Sequence, residues 1–117
     1  MSRPTTNSDQ PQIEIDRLIH EPARLIIMAH LYVVDEADFV YLAQQTGLTH
    51  GNINTHMARL EAGRYVDIEK MFVANRPRTV YRITEEGRMA LRRYRQQVGN
   101  LLAAVDNPAP NETRVDG

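Results

Sequence analysis

The residues best suited to chemistry carry hydroxyls, amides, an imidazole and a guanidinium on one stretch around a glycine: Thr49, His50, Gly51, Asn52, Asn54, Thr55 and Arg59. Wound at about 100° per residue, the stretch brings Ile53, Met57 and Leu60 onto one narrow stripe and Gly51, Thr55, Ala58 and Ala62 onto the opposite side. One face can bury, and the other presents donors and acceptors without bulk. Asn52, Asn54 and Arg59 flank the small face, a chemistry suited to a DNA major groove. Gly51 costs a helix about 1 kcal/mol relative to Ala, which points either to close backbone approach to a phosphate or to close packing on a neighbouring helix.

A second group is Arg76 and Arg78, held either side of Pro77 between two β-prone stretches. A hairpin whose basic loop runs from Val73 to Arg78 would offer both guanidiniums to phosphates or a minor groove. Enzymatic chemistry finds no comparable group. His50 and His56 lie six residues apart, about 240° around a helix, and cannot share a metal from one face. His56, at the edge of the apolar stripe, reads as a satisfied, partly buried histidine. The acids Asp35, Glu36 and Asp38 read as solvated rather than as a cation site, and no nucleophile triad or phosphate-cradling glycine loop is present. The chain is expected to be no enzyme and to hold no metal or cofactor.

The elements that must position these residues can be read in order. Thr49 is a good N-cap for the central helix, and Gly63 can end it in the left-handed conformation. Before it, Asp38 caps a helix over Phe39 to Gln45 with Phe39, Leu42 and Ala43 facing inward, and Gly47 serves the short turn. Ala43, Gly47 and Ile53 have the helix-turn-helix spacing: small where helices touch, glycine at the turn, apolar beneath the second helix. Further upstream, Ile13, Ile15, Leu18 and Ile19 suggest a short amphipathic helix. Pro22 to Val34 reads as a core helix with Leu25, Ala29 and Tyr32 inward, joined by Ile26 and Val33. Thr84 caps a long last helix on which Leu91, Tyr94, Val98, Leu101, Leu102 and Val105 form a seam, expected to pair with a second copy of the chain.

Length and composition fit this layout. With 117 residues the chain has one core, expected over 12–105 between disordered tails at 1–11 and 106–117. There is no cysteine, and no apolar run at the start resembles a signal or membrane span, so a soluble cytoplasmic protein is expected. The net charge of −1 hides a segregation: residues 59 to 95 hold ten Lys and Arg against five Asp and Glu. A segregated positive face matters more for phosphate attraction than the total.

Taken together, the segments Asp38-Phe39, Gly47 to Ile53, His56, Leu60 to Val66 and Arg76 to Arg88 resemble the winged helix-turn-helix regulators of the MarR and ArsR type. Within that group the likeness is to compact single-domain winged-helix DNA-binding domains. The resemblance implies a mainly α fold with a small β-hairpin and a long C-terminal dimerisation helix. It also implies a homodimeric regulator of transcription on double-stranded DNA, with Thr49, Gly51, Asn52, Asn54 and Thr55 at the major groove and Arg76 and Arg78 at the wing. His50 departs from the acidic residue expected there, which would add a phosphate contact or alter the cap. The broader family leaves room for a small-molecule effector at the dimer seam, and no residue here identifies one. The rival reading is a winged helix used for protein contact. It should place an exposed aromatic or aliphatic patch where the small face and the basic loop lie, and none is visible in the sequence.

Overall fold

The computed structural model describes residues 14–106, so the expected tails lie outside the described residues except for Asp106, as does Ile13. In chain order the elements are α1 (Pro22–Val34), β1 (Glu36–Asp38), α2 (Phe39–Thr46), α3 (His50–Ala62), β2 (Val66–Val73), β3 (Arg76–Ile83) and α4 (Glu85–Asp106). The fold is mainly α with a small antiparallel sheet and a long last helix, a winged helix-turn-helix.

Each helix start has a local cause. Glu21 accepts from the Arg24 N–H with Pro22 in the first turn, Asp38 accepts from Tyr41 N–H, Thr49 from Asn52 N–H and Thr84 from Gly87 N–H. Gly47 takes φ +73, the left-handed value that turns α2 into α3, and its N–H returns to the Ala43 carbonyl. Gly63, expected to do the same after α3, keeps φ −83, and Arg64 takes the positive φ instead. The Gly63 Cα faces the Leu18 side chain, whose terminal methyl would have to move aside for a Cβ.

The core is one cluster, with Ile27, Met28 and Leu31 of α1, Leu42 of α2, Ile53, Met57 and Leu60 of α3, Val66 and Tyr81 of the sheet, and Ala90 and Tyr94 of α4. The stripe expected on α3 is therefore the stripe observed. On α1 the expected face is rotated. Ile27, Met28 and Leu31 are inside, while Ala29 is exposed and Val33 is 80% exposed. The expected helix around Ile15 to Ile19 is a turn, because the Asp16 carboxylate accepts from the N–H groups of Leu18 and Ile19 and offers the chain a local alternative. Ile19 is nonetheless fully buried.

The sheet holds one strand more than the expected hairpin, in the order β1-β3-β2. Glu36, Ala37 and Asp38 pair with Arg82, Tyr81 and Val80, so the acidic break after α1 is a short edge strand. The expected six-residue basic loop is also shorter in fact. Val73 pairs directly with Arg76, and the turn is Ala74-Asn75, both with positive φ, the geometry of a two-residue hairpin whose twist matches its strands. Arg76, Pro77 and Arg78 are thus strand residues. Phe72 and Pro77 form the next pair inward from the closing pair, a non-hydrogen-bonded position where proline removes no ladder bond.

Candidate nucleic-acid interface

On α3 the residues opposite the buried stripe are all exposed: Gly51, Asn52, Asn54, Thr55, Ala58, Arg59 and Ala62. No atom of another element lies within 4 Å of a Cβ built on Gly51, so packing against a neighbouring helix does not explain that glycine. Thr49 is exposed with its hydroxyl committed to the cap. The His50 ring packs edge-on against Phe39, 4.1 Å between centroids, which ties the first residue of α3 to the first residue of α2.

Beside α3 the ribbon of β2 and β3 projects beyond the short β1 as a wing. Between helix and wing runs an open groove of about 810 Å³, lined from α3 by His50, Asn54, Ala58 and Glu61 and from the wing by Lys70, Pro77, Arg78 and Thr79. The alternation of strand side chains explains the wing's contribution. Val66 and Ile68 pack toward the core, so Lys70 and Phe72 continue the same face outward, opposite Thr79 and Pro77. Arg76 and Arg78 belong by parity to the other face, with Arg82. Arg78 reaches past the short edge strand to Asp38, at 3.4 Å, and so borders the groove from its rim.

The structure thus brings His50, Asn54 and Arg78 to one concave surface. Asn52 and Arg59 sit on the far flank of α3, outside the groove lining, and Arg76 stands next to the wing's turn. Lys70 is a groove residue the sequence reading missed, although its position two residues after the core-facing Ile68 carried the signal. Exposed apolar side chains absent from the sequence reading are present, on opposite faces of the ribbon. Phe72 is 76% exposed and Val73 46% exposed, both on the outer part of the wing.

The charge segregation seen in the sequence is partly cancelled in three dimensions. Each acid of the cluster after α1 meets an arginine of the basic segment: Asp35 pairs with Arg88, Glu36 with Arg82 and Asp38 with Arg78. The acids are ion-pair partners that remain in contact with solvent, with the Asp35 side chain 78% and the Glu36 side chain 54% exposed. Arg82 also meets Glu69, and these two carboxylates, Glu69 first, raise its pKa further. From α3 through the wing, Arg59, Arg64, Lys70 and Arg76 have no ion-pair partner among the described residues. The histidines are occupied structurally: His20 Nδ1 is 2.8 Å from Tyr94 Oη, and His56 lies between Arg24 and Glu21. Among the described residues no group of three or more His, Asp or Glu could hold a metal ion, and no helix is long and apolar enough to cross a membrane.

Two helices joined by a left-handed glycine, with a strand ribbon flanking the exposed face of the second, define the winged helix-turn-helix class. The chain belongs to the family of winged helix DNA-binding domains, which it matches over residues 23–102. An uncharacterized protein of Methanocaldococcus jannaschii is 30% identical over 90 residues, spanning 77% of this chain and 98% of that protein. The transcriptional regulator homologue of Pyrococcus horikoshii OT3 has a similar structure, with 31% identity, a TM-score of 0.73, and coverage of 78% of this chain and 90% of that one. NadR, solved in complex with 4-hydroxyphenylacetate, is 20% identical with a TM-score of 0.55 over 97% of this chain and 73% of that chain, a likeness of fold.

Proposed function

We propose that the protein is a sequence-specific regulator of transcription that binds double-stranded DNA as a homodimer. The observation that carries the reading is the exposed, unpacked small face of α3 standing across a cation-bordered groove from the wing. In this reading α3 enters the major groove, with Asn54, Asn52, Thr55 and Arg59 reaching base edges or phosphates. Gly51 and the helix N-terminus lie close to a phosphate, and the backbone strand between the two DNA grooves runs through the concave surface past Lys70 and Arg78. Arg76 follows the wing to the neighbouring phosphates.

Two surfaces support the dimer. On α4, Tyr94 is buried in its own protomer and Leu91 and Val98 pack against the core, but Leu101, Leu102 and Val105 stand exposed beyond it. The expected seam therefore divides: its first half closes the monomer and its second half is available to a partner. On α1 the solvent side carries Pro22, Ile26, Ala29 and Val33, an apolar stripe on a helix that is apolar nearly all round, the pattern of a helix covered on both sides. A two-fold pair of α3 helices reads half-sites about 10 base pairs apart or a multiple of that. A small molecule lodged between the paired helices would act by changing that spacing.

The test is binding to duplexes selected from a random pool by the full chain, at two salt concentrations. Arg76→Ala with Arg78→Ala is expected to weaken binding to every sequence and to lower the salt slope by about 1 for each phosphate that is no longer neutralised. Asn54→Ala is expected to relax sequence preference instead. Failure of the full chain to enrich any duplex at low salt would remove the DNA reading and leave the protein-contact alternative, to which the exposed Phe72 and Val73 would then belong.

A further inference from the structure

The wing's outer end has the wrong composition for a merely solvated hairpin tip. Phe72 and Val73 lie on β2, an edge strand, and exposed apolar residues on an edge strand invite unwanted pairing unless something uses them. Asp67, Glu69 and Lys70 guard the inner part of that edge, yet Met71, Phe72 and Val73 follow without a charge. The cross-strand partner of Phe72 is Pro77, a rigid apolar ring, and the two share the face that carries Lys70 and Thr79 toward α3. The apolar pair therefore sits on the face of the wing turned toward α3, with Lys70 just inside it on that face and Arg76 one residue further out on the opposite face.

The dimensions select what can enter DNA there. Strands in a ribbon are about 5 Å apart before side chains are added, and a minor groove is about 6 Å wide, so the ribbon itself stays outside. Side chains at its end can go in. A phenyl ring entering edge-first is thin enough, the turn residues Ala74 and Asn75 are small, and the flanking cations hold the phosphates on either wall. Resting on the DNA reading above, we infer that Phe72, backed by Pro77, is an apolar wedge that enters the minor groove beside the site read by α3. The wedge makes the protein select flanking sequence by deformability. Steps that open easily, TpA above all, accept a wedge at lower cost than a stiff, narrow A-tract.

The experiment uses the full chain and the duplex it selects, made in two versions that differ only in whether TpA steps or an A-tract occupies the flank. Affinity, salt slope and end-to-end distance by fluorescence transfer are measured for the natural sequence, Phe72→Ala, Phe72→Leu and Arg76→Ala. The natural sequence is expected to favour the TpA flank and to shorten the end-to-end distance. Phe72→Ala should bind about tenfold more weakly. It should also lose both the flank preference and the bend while keeping the salt slope, since no counterion is released by an apolar side chain. Phe72→Leu should retain most of the effect, and Arg76→Ala should lower the slope and keep the flank preference. Because Phe72 is exposed, the melting temperature of Phe72→Ala should match that of the natural sequence. Equal affinity, bend and flank preference in Phe72→Ala, with normal DNA binding by the natural sequence, would overturn the wedge. A fall in self-association on Phe72→Ala with DNA binding intact would overturn it in favour of wing-to-wing pairing. No binding of any duplex by the natural sequence is the separate failure of the DNA reading.

Discussion

The helix α3 and the wing lie on either side of one groove, yet they are built on opposite plans. The helix is anchored by Ile53, Met57 and Leu60, all but fully buried, and its outer face holds little beyond glycine, alanine, threonine and asparagine. The wing is anchored at its root, by Val66, Ile68, Val80, Tyr81 and Ile83, and beyond it carries its bulk outward, with Lys70, Phe72, Arg76 and Pro77 exposed. A reader that must approach a surface closely is emptied on its outer side and fixed by its inner one. A ribbon that reaches across a backbone can be loose, because its side chains span the distance. The same difference predicts where substitutions register: in folding on the inner stripe of α3, in binding on its outer face and on the outer part of the wing.

The largest effect sharpens that contrast in stability. Leu60→Ala, on the buried stripe of α3, is expected to cost about 2–5 kcal/mol through reduced burial and the cavity left behind. Val73→Ala on the wing should change stability by less than about 0.5 kcal/mol. Urea unfolding of the two variants measures both. Similar losses would mean that the wing is part of the folding unit and that the proposed division is wrong.

The division also sets what can be read from sequence. The stripe on α3 is legible because a thirteen-residue helix with one apolar side repeats its signal three times, and caps mark its start. On α1 the same reasoning selects the wrong face, since Leu25, Ile26, Ile27, Met28, Leu31, Val33 and Val34 leave hardly any polar side to orient the helix. β1 is not legible at all: Glu36-Ala37-Asp38 has no strand propensity, and it is a strand only because β3 offers it an edge. The hairpin is legible but its turn is not, because Ala74-Asn75 lacks the glycine that advertises a two-residue loop. Misplacing the turn puts Arg76 and Arg78 in a loop together and hides Lys70 and Phe72, whose facing follows only from the register.

A second prediction concerns the joint between the two regions. Tyr65 links the end of α3 to β2; its carbonyl accepts from Thr84 N–H and its hydroxyl donates to Asp16. Burial, and then that hydrogen bond and the Asp16 charge, push its pKa from 10.0 to about 12. The folded chain therefore holds a proton that the unfolded chain releases. Its stabilising contribution is complete below pH 10 and is lost as pH rises toward about 12. Tyr65→Phe should cost about 1 kcal/mol near neutral pH. Between pH 10 and about 12 it should lose less stability than the natural sequence. Parallel pH curves for the two chains would show that the joint does not depend on this proton.

Gly51→Ala separates folding from recognition on α3 itself. Open space surrounds the position, so a methyl group meets nothing within the protein and the helix gains up to about 1 kcal/mol. If the backbone there approaches DNA, the same methyl should weaken binding to the selected duplex severalfold. A variant that is more stable and binds less tightly is the expected outcome; one that is more stable and binds equally well would remove Gly51 from the interface.

The smallest effect tests whether the groove is held partly closed to DNA by its own charges. Arg78 Nη2 lies 3.4 Å from Asp38 Oδ2, a partly exposed pair at the rim of the groove. Any phosphate that recruits Arg78 must first displace that carboxylate. Asp38 is also the N-cap of α2, accepting from Tyr41 N–H, so most substitutions would damage the helix as well as free the arginine. Asparagine avoids this, because it caps about as well and carries no charge. Such exposed pairs contribute about 0–1 kcal/mol. Asp38→Asn is therefore expected to leave the melting temperature nearly unchanged and to tighten DNA binding about two- to fivefold at low salt, with a steeper salt slope. In the Arg78→Ala background the gain from relieving this competition should vanish, leaving only the general effect of one carboxylate fewer beside the groove. A gain of equal size with and without Arg78 would mean that Asp38 acts only through its field and that the ion pair itself restrains nothing.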